Sequence, residues 1–244
     1  YVDPESPDDL GRLDPEAIEA VRREAWPQAR DRHELHDALN TVVALADDEV
    51  APWREWLDAL VAEGRALRFG REGAPGLWTA TERLPLLLAV FPGGRAVGAG
   101  ALPEAFSRPS AEPDQALREI VRGRLGALGP VTLGQLARPV GLPEPGVEAA
   151  LLALQGEGFV MAGRFSATAP DAPTEWCERH LLARIHRYTL NRLRREIEPV
   201  EPRDFMRFLF EWQHLAEDCR VEGPESLIAV LGQLVAEFKE AAAA

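Results

Sequence analysis

The chain has 244 residues, with 40 aspartates and glutamates against 27 lysines and arginines, and a formal net charge of -13. That length allows one to three compact units, and an acidic balance opposes tight autonomous binding to a polyanion. No apolar run reaches the ~20 residues that span a bilayer, so a membrane protein is not expected. YVDPESPDD has neither a basic start nor an apolar stretch and does not read as a signal peptide. A first residue other than Met reads as a fragment of something longer. Cys177 and Cys219 fall in stretches expected to be helical, which points to reduced, buried thiols and a cytoplasmic setting. Lys239 is the only lysine, and the arginine excess reads as GC-rich coding rather than as an adaptation to a ligand.

In chain order, apolar periodicity predicts helices over Pro15–Trp26, Arg32–Leu45 and Pro52–Ala62, with Asp14 as N-cap and Pro15 in the favoured first position. Strands at Ala66–Phe69 and Leu77–Ala80 are expected to form a wing across Gly70–Gly76, closing a first unit over 1–90. Residues 91–113, rich in Gly, Pro, Ser and Ala, read as a linker. A second unit over 114–168 is expected to hold helices at Asp114–Ala127, Leu133–Ala137 and Pro145–Gln155, then a strand at Phe159–Phe165, with Thr132 as an N-cap. A third helical unit, 172–244, follows with helices at Thr174–Ile197, Pro202–Ala216 and Pro224–Lys239, and is expected to be a truncated winged helix.

Two segments repeat: Leu57–Leu67 and Leu151–Met161 share the pattern LxALxxEGxx followed by an apolar residue, 94 positions apart. In each, an apolar-periodic helix meets a Gly suited to the left-handed position past a helix end, and a β-prone segment follows. Helix, glycine, strand is the close of a winged-helix unit, so the fold class expected is mainly α with short β wings, a tandem winged-helix or helix-turn-helix array.

The segment from Arg179 to Arg195 holds six arginines and no carboxylate. At about 100° per residue, His180, Arg184, Arg187, Asn191, Arg194 and Arg195 share one stripe. Leu181, Leu182, Ile185, Tyr188, Thr189 and Leu193 occupy most of the opposite side, with Arg192 among them as an internal tie. Guanidinium donors match phosphate oxygens in pairs, so this ridge suits a nucleic-acid backbone. The alternative is pairing with the chain's own carboxylates, of which Glu196, Glu198, Glu201 and Asp204 are nearest in sequence.

Other motifs carry less. The third helices, Pro52–Ala62 and Pro145–Gln155, hold one arginine between them, Arg54, which argues against reading of base edges. Wing arginines Arg65, Arg68, Arg71 and Arg164 could add backbone contacts, or be merely solvated. His33-Glu34-Leu35-His36 lacks the H-E-x-x-H spacing of a zinc site and reads as paired surface histidines. His186 beside Tyr188 could stack on a base or pack at a unit boundary. The six tryptophans follow expected core faces. No G-x-x-x-x-G-K-[ST] loop occurs, so ATP hydrolysis is not expected in this segment, and neither a catalytic residue nor a metal ligand can be named.

ARIHRYTLNRLRREIEPV followed by DFMRFLFEWQHL, with Leu77-Trp78-Thr79-Ala80-Thr81-Glu82-Arg83-Leu84 and Gly129-Pro130-Val131-Thr132 upstream, resembles the C-terminal extension of the bacterial large helicase-related family (Lhr), superfamily-2 ATP-dependent DNA helicases. The resemblance runs from about Leu13 to Phe238. It implies an accessory, non-catalytic region beside an upstream motor that uses ATP and magnesium, in the bacterial cytoplasm at the nucleoid. Expected partners are DNA, held through phosphates by Arg184, Arg187, Arg194, Arg195, Arg68 and Arg164, the motor domains, and a second copy of the chain. Two alternatives stay open: an array like the AlkZ-type DNA glycosylases, although their Q-x-Q signature is absent here, and a winged-helix transcription regulator.

Overall fold

The computed structural model describes residues 13–97, 102–166, 172–196 and 201–212, together with 214, 223–226, 228 and 231–232. Its chain divides into two compact units, Tyr1–Arg192 and Leu193–Ala244. In the first unit the helix α1 (Pro15–Ala25) precedes two copies of one motif. The first copy runs α2 (Arg32–Val42), β1 (Leu45–Ala46), a 3-10 turn (Ala51–Trp53), α3 (Arg54–Ala62), β2 (Ala66–Arg71) and β3 (Ala74–Ala80). After α4 (Leu84–Val90) and β4 (Arg95–Val97), the second runs α5 (Pro113–Leu128), β5 (Val131–Thr132), α6 (Leu133–Ala137), α7 (Glu144–Gly156), β6 (Val160–Gly163) and β7 (Glu175–Glu178). Both sheets are antiparallel, ordered β1-β3-β2-β4 and β5-β7-β6. A short strand after the first helix that pairs with the returning strand of a hairpin gives each copy a winged-helix-like architecture. The fold is therefore mainly α with short β wings, as composition and periodicity imply.

The repeated LxALxxEG ends alike in both copies. Gly64 and Gly158 each have φ of +72°, and the amides that follow reach back to close the helix, Arg65 N to Leu60 O at 2.9 Å and Phe159 N to Leu154 O at 2.9 Å. The glutamate before each glycine is gripped by arginines from the first helix of its own copy. Glu63 pairs with Arg32 at 2.8 Å, and Glu157 pairs with Arg118 at 3.3 Å and with Arg122. One sequence motif thus writes the same helix end and the same tie twice.

Four expectations are corrected. First, α1 is not the opening helix of the first copy: Ala17, Ile18 and Val21 pack with Cys177, Leu181 and Ile185, away from the core of α2 and α3. The first helix of that copy is α2, and the middle helix shrinks to the turn at Ala51–Trp53. Second, Thr174–Glu178 does not begin a helix. Glu175–Glu178 is the strand β7, hydrogen-bonded to β5 on one edge and β6 on the other, and it completes the second wing. Third, Cys177 accordingly lies in a strand, where burial pushes its thiol up to about 12; Cys219 lies outside the described residues. Fourth, the first wing is not a long loop, because β2 and β3 extend to a tight turn in which Gly73 has φ of +69°. The 91–113 stretch contains β4, which pairs with β2. The helix expected at Pro224–Lys239 and the missing wing beyond it lie largely outside the described residues.

One core cluster runs through both copies, joining Leu67, Phe69, Leu77 and Leu87 to Ile120, Leu125, Leu136, Leu151 and Leu154. At ~25 cal/mol per Å² of apolar surface, burying each such side chain stabilises by ~1.5–3 kcal/mol before entropy is counted. The junction is tight and polar as well. Val43, with φ of +73°, turns the chain from α2 into β1 through a three-residue turn closed by Ala44 N to Val42 O at 2.9 Å. A Cβ on Gly123 of α5 would lie 2.4 Å from Thr41 O, so only glycine permits this approach. Beside it the fully buried Arg124 donates to Ala44 O at 2.8 Å and to Glu49 at 2.7 and 3.1 Å, while Glu49 also accepts from Ala46 N at 2.8 Å.

Candidate nucleic-acid interface

The helix α8 (Arg179–Glu196) starts directly from β7, and its start is built by Glu178. That buried carboxylate accepts from Leu181 N at 2.8 Å, satisfying a first-turn amide, and lies 2.7 Å from His180 Nδ1. The inner side of α8 buries Leu181, Ile185 and Thr189 against α1. Thr189 Oγ1 accepts from Asp14 N at 3.1 Å. Arg192 reaches Asp14 at 3.0 Å and Glu16 at 2.6 Å, so it ties α8 to the start of α1. This is the internal tie that its place on the helix implies.

The outer side of α8 is where the ridge stands. Arg179, His180, Ala183, His186, Arg187, Leu190 and Asn191 are exposed. Arg187 makes no ion pair with a described residue and lies 6.0 Å from the ring centre of Tyr188. Arg184 is only half exposed and is paired with Glu24 of α1, a partner that lies 160 residues away in sequence and that nearest-neighbour reasoning misses. Tyr188 donates to the same carboxylate at 3.1 Å. Leu193, expected on the apolar side, is 43% exposed rather than packed. Arg194 is exposed in the second unit, and the side chain of Arg195 lies outside the described residues.

The two wings differ. In the first, Arg68 is held by Asp47 at 2.5 Å, and Trp78 Nε1 donates to that carboxylate at 2.7 Å. Burial pushes the Asp47 carboxyl up, but the hydrogen bonds from Arg68 and Trp78 outweigh it and hold the group below its usual range. Arg65 lies against two histidine rings, 3.1 Å from His33 Nδ1 and 3.0 Å from His36 Nδ1. The two histidines of the His-Glu-Leu-His segment thus hold a guanidinium. Among the described residues no group of three or more His, Cys, Asp or Glu is placed to hold a metal ion. In the second wing Arg164 is exposed at the end of β6. The next residue, Phe165, packs on the cluster that also holds Leu181 and Ile185. Glu175 shapes that corner by accepting from Phe165 N at 2.6 Å and Ser166 N at 2.7 Å.

The third helices present no such surface. Outward residues of α7 include Glu144, Glu148, Leu152 and Gln155, and those of α3 include Glu55 and Asp58 beside Arg54. Arg54 lies over the Trp78 ring at 5.6 Å. An acidic outer face repels the phosphates that flank a major groove. The structure therefore leaves Arg164 and Arg187 exposed at separate places in the first unit, and commits Arg68 and Arg184 to carboxylates.

No family model matches the chain. An Lhr helicase/probable uracil glycosylase of Mycolicibacterium smegmatis is 29% identical over 212 residues, which cover 84% of this chain and 13% of that protein. The chain is thus similar in sequence to a segment of an Lhr protein. Coverage that broad means the likeness extends well beyond the arginine-rich helix. The chain spans a small part of that relative's length. Among solved structures, the DNA glycosylase AlkZ of Streptomyces sahachiroi aligns with 76% of this chain and 46% of its own, at 17% identity and a TM-score of 0.26. A score at that level establishes no shared fold. Among the described residues, no helix is long and apolar enough to cross a membrane.

Proposed function

We propose that this chain is a non-catalytic, winged-helix-like segment of the C-terminal region of an Lhr-type ATP-dependent DNA helicase, and that it docks DNA through phosphates on the outer side of α8. The observation that carries the reading is Arg187. It stands exposed on a helix side that has no acidic residue from Arg179 to Arg194, in a chain of net charge -13. Arg164, exposed at the end of β6 in the second wing, is a further candidate. Arg194 is a separate candidate in the second unit. Arg68 and Arg184 belong to ion pairs within the fold in this reading. Translocation, ATP and magnesium belong to motor domains that the chain would adjoin, in the bacterial nucleoid, and the same helices would pack on that motor or on a second copy.

Phosphate contacts of this kind carry no base preference. The test is anisotropy of a labelled duplex with the full chain between 50 and 200 mM salt. Binding that weakens log-linearly with salt and is indifferent to sequence is expected. Absence of binding, or a strong preference for one sequence, would remove the proposal.

A second reading is base removal, because the relative of M. smegmatis is named both helicase and probable uracil glycosylase. Such chemistry needs a carboxylate or a water-activating group poised in a pocket. The buried carboxylates described here are engaged: Glu49 by Arg124 and Ala46 N, Glu175 by two wing amides, Glu178 by Leu181 N and His180. The chain alone is expected to leave a uracil-containing duplex intact, and release of uracil by it would reverse the order of the two readings.

A further inference from the structure

Arg71, at the tip of the first wing, has no carboxylate partner among the described residues and is nevertheless half-buried. Its Nη1 donates to Val140 O at 2.9 Å and Gly141 O at 3.2 Å, its Nη2 donates to Pro75 O at 2.8 Å, and its guanidinium lies 4.6 Å from the Phe91 ring centre. Burial lowers its pKa, and its Nε has no partner, so desolvation is not repaid by an anion. Val140 and Gly141 form the turn between α6 and α7, the turn of the second copy's helix–turn–helix. That turn is closed by Gly141 N to Arg138 O at 3.1 Å and Leu142 N to Ala137 O at 3.0 Å. Gly141 has φ of +60°, and a Cβ there would meet Arg71 Nη1 at 2.7 Å.

We propose that the first wing is a clamp on the second copy: Arg71 grips the α6–α7 turn and fixes the placement of α7, and through it of the second wing and α8. The two copies have thereby divided their labour. A wing that in a lone winged helix would reach for a ligand is closed on its neighbour, and its outer edge is already occupied by β4. The second wing, by contrast, leaves Arg164 exposed at the end of β6. Arg71 is in this account a positioning residue. The placement of the docking side rests on the proposed function, whereas the clamp itself does not.

The experiment is hydrogen exchange of the full chain, with the duplex titration run on the same samples. In R71Q the amides of Gly141 and Leu142 are expected to exchange at least tenfold faster than in the wild type, with R71K restoring part of the protection. Duplex affinity should fall while the salt slope stays the same, since no phosphate contact is lost. G141A, which crowds the same guanidinium from the other side, should reproduce the faster exchange if R71Q does not fold. Unchanged exchange in R71Q or in G141A would overturn the clamp, and so would a salt slope flattened by a full unit in R71Q, which marks Arg71 as a phosphate contact. A wild-type chain that binds no duplex defeats the proposed function and leaves the exchange comparison to decide the clamp.

Discussion

Removing the Glu49 carboxylate would leave Arg124 charged and fully buried, with Ala44 O as its remaining acceptor. Breaking one side of a buried ion pair costs about 3–5 kcal/mol, whereas replacing both partners by apolar groups can be nearly neutral. E49A is therefore expected to lower stability by about that amount in a denaturant titration, and E49A with R124L by clearly less. Equal losses would show that packing rather than charge is at stake. Asp47 gives a pH signature. Its carboxyl is held below the usual range, so its contribution to stability is complete above the unfolded value of ~4 and disappears as pH falls through the folded value. D47N should flatten the acid limb of a stability profile below about pH 4, and an unchanged limb would contradict the assignment. Neither pair is visible from spacing, because Arg124 and Glu49 are 75 positions apart.

At the scale of elements, the repeated motif was the legible part. A glycine after an apolar-periodic helix requires a left-handed turn, and both Gly64 and Gly158 have it with nothing within 4 Å of an added Cβ. Substitution there costs backbone strain alone, so G64A and G158A are each expected to destabilise by about 1–2 kcal/mol, by thermal or chemical unfolding. Losses far larger in one copy would break the equivalence. The second wing was less legible. Thr174-Glu-Trp-Cys-Glu runs straight into an amphipathic helix, and its glutamates disguise a strand buried on both faces by pairing inside the fold. A signal was available nonetheless, since a hairpin with a single strand at Phe159–Phe165 lacks its return. Periodicity shows the ridge on α8 as a face, but α1 supplies both the helix's packing surface and the partner of Arg184. Periodicity locates a face; it does not say which distant element covers it.

Across the whole molecule, the expectation of separable modules gives way in the first unit to two copies sharing one core. Local pattern shows each copy complete, yet Gly123 against α2, Arg124 in the first copy and Arg71 in the second make them one body. Many of the described arginines are turned inward or paired, and the exposed side of α8 is what this body would offer a polyanion under the proposed reading. Comparing the salt dependence of duplex binding by R187Q with that of the wild-type chain tests this most directly. Weaker binding at every sequence is expected, with a log–log slope flattened by about 0.9, the loss of one phosphate contact; parallel lines with unchanged affinity would contradict docking on α8.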